Sequence, residues 1–303
     1  MKFTSLILLL ATAHSALVRP ARPLRTAPSV TLHRTPAPVA VSSLAVQGVA
    51  LNTVLAGAGT LKGQKMLTNS GLANGWLLGV ILWSVRAAPK FARPANATRT
   101  LTAPHPAAQT LGWRGWTTCT VYLLAGSFVT KVKKAKKEAM GIAEARGGRR
   151  GPENVWGAAA TAAFCALATL RWPARAALLN VGFVASLATK LSDTFASEIG
   201  KAYGTTPYLI TTFKAVPPGT EGAVSLEGTA AGVVGSLIIA GYAVAVGLVG
   251  ASAVVPCLIA AFVATNIESL IGATMQGGWM TNEVVNFINT LIGAAVGIAL
   301  AAR

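Results

Sequence analysis

The chain has 303 residues, 53% of them hydrophobic and only 12% charged, whereas a soluble domain averages about 25% charged residues. That composition argues against a soluble enzyme and for helices that turn most of their apolar surface to lipid. The formal charge of +17 does not imply a nucleic-acid partner: residues 1–137 hold 17 Lys or Arg and no acid, residues 138–303 hold nine of each sign, and no basic run is interleaved with stacking aromatics.

Met1 to Ala16 carries an early Lys2, a short apolar run from Leu6 to Ala11 and small residues around Ala13 and Ala16, the pattern of a signal peptide. Residues 17–38 add Arg19, Arg22, Arg25 and Arg34 among Ser, Thr and Pro without an acid, the composition of a transit peptide. Residues 1–38 thus read as a bipartite targeting leader, similar to those of algae whose plastid lies inside extra membranes, except that Leu17 stands where that pattern has an aromatic residue. A secreted protein with a basic pro-segment would carry a comparable start.

From residue 39 to the end, the apolar segments are 39–61, 72–88, 111–130, 155–171, 174–192, 226–250, 252–273 and 283–301. They predict an all-α, polytopic integral membrane helix bundle of about six to eight transmembrane helices forming one domain over 39–303, with membrane lipid as its surroundings. Gly and Ala are frequent in these segments, which lets helix backbones approach closely. Cys119, Cys165 and Cys257 lie far apart in apolar segments and read as small buried hydrophobes, not as a disulfide framework. Histidine occurs only at His14, His33 and His105, before the later helices, which removes most histidine-based general-base and zinc schemes.

Connectivity sorts the helices by side. Segments 155–171 and 174–192 are joined almost directly and form a hairpin, which returns residues 193–225 to the face that holds loop 131–154. Segments 226–250 and 252–273 form a second hairpin, which brings residues 266–282 and the start of the last helix to that same face. All nine acids then fall on one side: Glu138, Glu144, Glu153, Asp193, Glu198, Glu221, Glu227, Glu268 and Glu283. Basic loops at 86–110 and 131–150 flank one span, so charge does not choose the orientation.

Three stretches on that face carry chemistry. In Leu187–Lys201, Lys190, Thr194, Ser197 and Lys201 share a helical face beside Asp193, the chain's only aspartate; interfacial ion pairs at a helix end would show the same pattern. In Lys214–Thr229, Gly219, Thr220 and Gly222 offer turning backbone and amides for phosphate oxygens, with Glu221 and Glu227 as carboxylates nearby; a polar turn with a Ser or Thr N-cap is the plainer alternative. In Asn266–Asn289, Asn282, Asn286 and Asn289 form one stripe that must face the bundle, either as part of a site or as interhelical hydrogen-bonding groups. Carboxylates with Asn side chains suit Mg2+, and lysines on the same face suit phosphate. Transfer of a phosphoryl group to an already anionic phosphate needs no strong base, so the scarcity of histidine fits this chemistry.

Gly151-Pro-Glu153-Asn154-Val-Trp156-Gly157, Lys190-Leu-Ser-Asp193 through Glu198-Ile-Gly-Lys201, Val216-Pro-Pro-Gly219 through Thr229, Asn266-Ile-Glu268-Ser269 and Thr281-Asn-Glu283-Val-Val-Asn286, in that order, resemble the membrane phytyl-phosphate kinases of plants and cyanobacteria, relatives of the animal transmembrane protein 19. The likeness covers roughly residues 45–303. Pro218 departs from it, standing where a basic residue is expected. The resemblance implies conversion of phytyl phosphate to phytyl diphosphate for tocopherol and phylloquinone synthesis in a plastid envelope membrane. A prenyl phosphate in the bilayer would be the acceptor and a nucleoside triphosphate, CTP by analogy with polyprenol kinases, the donor. It implies Mg2+ held by Asp193, Glu198, Glu221, Glu227, Glu268 and Glu283, with Asp193, Glu198 and Lys190 catalytic. Lys201, Lys214, Gly219, Thr220, Gly222, Asn282 and Asn286 would bind phosphate or nucleotide. A transporter of an anionic metabolite is the rival class, because it too sets polar residues into membrane helices.

Overall fold

A computed structural model describes residues 40–61, 63, 65–85, 111–275 and 280–303. The leader and the 86–110 loop lie outside these residues. The described elements are α1 (Ala40–Leu61), α2 (Asn69–Ser84), α3 (Gly112–Thr130), α4 (Lys134–Ala139), α5 (Pro152–Arg171), α6 (Ala176–Tyr203), β1 (Tyr208–Leu209), β2 (Ala223–Val224), α7 (Leu226–Ala245), α8 (Val254–Met275) and α9 (Asn282–Ala301). Each predicted apolar segment overlaps one of these helices. By length and composition, α1, α6, α7, α8 and α9 suffice to cross a membrane. Helix α2, at 16 residues, reaches only about 24 Å against a hydrocarbon core of about 30 Å.

Helix starts follow local chemistry. Ser225 Oγ accepts from Gly228 N at 3.1 Å and caps α7, and Thr68 Oγ1 accepts from Gly71 N at 3.0 Å at α2. These bonds satisfy amides that have no partner within the helix. Pro152 opens α5 where its missing N–H costs nothing, and Asn154 Oδ1 accepts from Gly151 N at 3.0 Å. Helix α6 runs 28 residues, about 42 Å. It therefore crosses a bilayer and still carries the 190–201 stretch as continuous helix, eleven residues beyond the predicted apolar limit.

Helix α6 is the axis of the bundle and packs against α3, α5, α7, α8 and α9. Its span is 72% buried, against 11% for α1 at the periphery. Close approach rests on small residues: a methyl at Gly235 of α7 would sit 2.8 Å from Leu191 O. Trp–Asn and Trp–Thr bonds tie the outer helices, with Trp116 Nε1 on Asn52 Oδ1 at 3.1 Å, Trp76 Nε1 on Thr53 Oγ1 at 3.0 Å and Trp156 Nε1 on Asn74 Oδ1 at 2.8 Å. Two hairpin turns, Trp172–Arg175 between α5 and α6 and residues 246–253 between α7 and α8, return the chain as the connectivity requires. Cys165 and Cys257 are buried, and all three cysteines are free.

Candidate functional site

The end of the bundle away from those hairpin turns holds a cavity of about 590 Å³. Helix α6 contributes Lys190, Asp193 and Lys201; the turn before α7 contributes Pro218 to Gly222; α8 contributes Asn266 and Glu268; α9 contributes Asn282, Glu283 and Asn286; and the loop entering α5 contributes Arg146, Arg149 and Arg150. Five segments distant in sequence thus meet on the predicted face.

Its floor is a charged network. Lys190, 7% exposed, donates to Asp193 Oδ2 and to Asn286 Oδ1. The Asp193 and Glu268 carboxyls lie within hydrogen-bonding reach of one another. Asn289 Nδ2 donates to Glu268 Oε2 at 2.5 Å and fixes its direction. Two of the three Asn of the expected stripe face inward, Asn286 toward the lysine and Asn289 beneath the glutamate, while Asn282 is exposed at the cavity rim.

The Pro217–Gly222 turn reaches the cavity, but part of its donor capacity is spent internally. Thr220 N and Oγ1 both donate to Pro217 O, at 3.3 and 2.8 Å. Gly219 and Gly222 take φ of +87° and +74°, a region that favours glycine. A methyl at Gly222 would also sit 2.5 Å from Ser269 O, so this glycine lets the turn press on α8. Lys201 Nζ lies 3.8 Å from Glu144 Oε1 at the cavity edge.

Glu198, Glu227 and Lys214 are not brought to the cavity. Glu198 is buried against Lys137, each side chain 1% exposed, and Lys137 Nζ also donates to Thr130 O at 2.9 Å. This pair fastens α4 to α6. Glu227 accepts from Thr205 N and Oγ1 at 3.2 and 2.8 Å and ties the end of α6 to the start of α7. Lys214 sits exposed in the loop between the strands. Helical periodicity groups residues on one element, but it does not say which neighbour claims each side chain.

Sequence reasoning overlooked Arg146, Arg149, Arg150 and Tyr122. The available signal was adjacency: Arg149 and Arg150 directly precede the Gly151–Gly157 motif, on a loop already assigned to the polar face. Arg146 donates to Glu153 and to Asn154 Oδ1, the latter at 2.8 Å. The bond from Arg146 to Glu153 holds that carboxyl below the usual carboxylate range. Arg146 has a left-handed φ of +54°, a strain of about 1–2 kcal/mol for a residue with a side chain, and its side-chain bonds lock that conformation.

Among the described residues, no three of His, Cys, Asp and Glu converge on one metal point. The donors that do converge are the Asp193 and Glu268 carboxylates, with Asn286 beside them. Mg2+ is usually held by one or two protein carboxylates plus substrate phosphates and water, so this donor set fits a metal that arrives with a nucleotide better than a resident ion.

The model of an integral membrane protein family, DUF92, matches residues 90–294. The chain belongs to that family. An uncharacterised membrane protein of Synechocystis is 46% identical over 85% of this chain and 91% of its own length. The chloroplastic protein VTE6 of Arabidopsis thaliana is 40% identical over 77% of this chain, the match covering 65% of the plant protein. An uncharacterised membrane protein of Methanocaldococcus jannaschii is 40% identical over 40% of this chain and 50% of its own. No solved structure matches the chain. Membership bears out the resemblance to the plant and cyanobacterial membrane family and makes this DUF92 protein a multi-pass membrane protein.

Proposed function

We propose that the protein is a membrane prenyl-phosphate kinase that converts phytyl phosphate to phytyl diphosphate with a nucleoside triphosphate, CTP by preference, and Mg2+. The observation that carries this reading is the facing pair of Asp193 and Glu268 over Lys190, on the floor of a polar cavity at the end of a membrane bundle. The motif resemblance and the kinship with a chloroplastic plant protein support the substrate class. They also support a plastid membrane as the location and tocopherol and phylloquinone synthesis as the process served.

In this reaction an acceptor phosphate oxygen bonds to the terminal phosphorus of the triphosphate as the bridging P–O bond breaks, releasing a nucleoside diphosphate. The acceptor is already anionic, so positioning and charge neutralisation dominate. Asp193 and Glu268 would hold Mg2+, which supplies a positive charge to the phosphate oxygens. Lys190 fixes the Asp193 carboxylate and adds a second cation beneath it, while Asn289 keeps Glu268 aimed into the cavity. Glu221 and Glu283 line the same cavity and would add carboxylates to a hydrated Mg2+. Lys201, Asn282 and the Gly219–Gly222 turn form the rim available to nucleotide. The prenyl tail stays in the bilayer.

The test is purified protein in nanodiscs with Mg2+, phytyl or geranylgeranyl phosphate and each of ATP, CTP, GTP and UTP. Diphosphate product with at least one donor is expected. No product with any of the four rejects the reading, and flux of an anionic metabolite into liposomes without nucleotide consumption would replace it with transport.

A further inference from the structure

The loop entering α5 carries two arginines to which the proposed reaction gives no role. Arg146 is committed to Glu153 and Asn154. Arg149 and Arg150 line the cavity, yet among the described residues neither has an acidic partner. A guanidinium set beside membrane helices without a counter-charge is costly, and such groups typically face a cavity or partner that completes them.

Arg150 is built in from three directions. Its amide donates to Met66 O at 2.9 Å and its carbonyl accepts from Thr68 N at 3.0 Å, anchoring the backbone to the connection between α1 and α2. Its Nη1 donates at 2.7 Å to the hydroxyl of Tyr122, which is itself 4% exposed. Its Nη2 occupies space left open by Gly126, where a methyl would sit 2.7 Å away. Arg149 is steadied through Nη2 on Leu67 O at 3.2 Å. A guanidinium has five N–H donors in a fork that matches phosphate, and most of those on Arg150 remain available. Asp193, Glu221, Glu268 and Glu283 come from α6, the turn before α7, α8 and α9, and Glu144, on the loop itself, lies 3.8 Å from Lys201, whereas the cations without an acidic partner among the described residues, Arg149 and Arg150, come from this loop. The cavity is therefore polarised.

We propose that Arg149 and Arg150 form a phosphate subsite facing the Asp193–Glu268 pair. The substrate class rests on the kinase reading above; the anion site rests on the arginine geometry. Both substrates present phosphate, so the subsite binds either the acceptor monophosphate or the donor polyphosphate.

Inorganic pyrophosphate serves as the probe, titrated calorimetrically into the full chain in nanodiscs without turnover. Arg150→Gln should weaken binding about tenfold or more, Arg150→Lys should recover only part because it lacks the fork, and Tyr122→Phe should weaken binding a few-fold. Unchanged affinity in Arg150→Gln, or no binding to the unsubstituted protein, overturns the proposal. Should Arg150→Gln fail to fold, Arg149→Gln at its exposed position decides by the same criterion. Where turnover is measurable, a KM raised for prenyl phosphate alone places the acceptor at the subsite, and a KM raised for nucleotide alone places the donor there. Arg150-dependent pyrophosphate binding without any turnover would keep the subsite and reject the kinase reading.

Discussion

Helix α6 carries two lysine–carboxylate pairs that use the same chemistry for opposite ends. Lys137–Glu198 is sealed, both side chains 1% exposed, and it fastens the basic segment 131–150 to the helix. Lys190–Asp193 opens to the cavity, its side chains 9% and 18% exposed, shares its lysine with Asn286 and faces Glu268. A sealed pair has nothing to exchange with, so it holds structure. An open pair can trade part of its charge interaction for a ligand.

Glu198→Ala tests the sealed pair and should show the largest effect. It strands a buried ammonium, so stability should fall by about 3–5 kcal/mol, read as a lower unfolding temperature or loss of monodisperse protein in detergent. The double change Lys137→Met with Glu198→Leu should restore most of it. A Glu198→Ala protein of normal stability that has lost only turnover would move Glu198 into the reaction.

Asp193→Asn tests the open pair. The fold should persist, because Lys190 keeps its bond to Asn286, while diphosphate formation should drop about 10²–10³-fold, the loss typical of one preorganised electrostatic group. Normal activity in this variant would erase the distinction between the pairs. Asn289→Ala sharpens it with a smaller effect: losing one hydrogen bond to a charged group, about 1.5–3 kcal/mol, should slow turnover roughly tenfold or more and raise the Mg2+ concentration needed for half-maximal rate. An unchanged Mg2+ requirement would make Asn289 mere interhelical packing.

The helices and the polar face were legible because apolar run length and connection length are local properties. A two-residue link between 171 and 174 leaves no alternative to a hairpin, and two hairpins carry residues 190–229 and 266–286 to one end. The Asn282–Asn286–Asn289 stripe was readable for a similar reason, since polar side chains at helical spacing on an apolar helix must find partners inside. Glu227 and Lys214 were harder. They sit in motifs beside true lining residues, and only the path of the backbone turns Glu227 onto Thr205 and leaves Lys214 in the exposed loop between the strands.

Composition, segment lengths and motif order by themselves determined a multi-pass bundle with its acids gathered at one end, because burial in lipid constrains whole segments and short links constrain direction. Which acids meet was decided only by the tertiary structure. Asp193 and Glu268 are 75 residues apart and Arg150 belongs to yet another loop; their meeting depends on small-residue packing around α6, which sets interhelical distance to within a side chain. Glu198 differs from Asp193 by little more than one helical turn. That turn is enough to exchange the open cavity for the buried ammonium of Lys137.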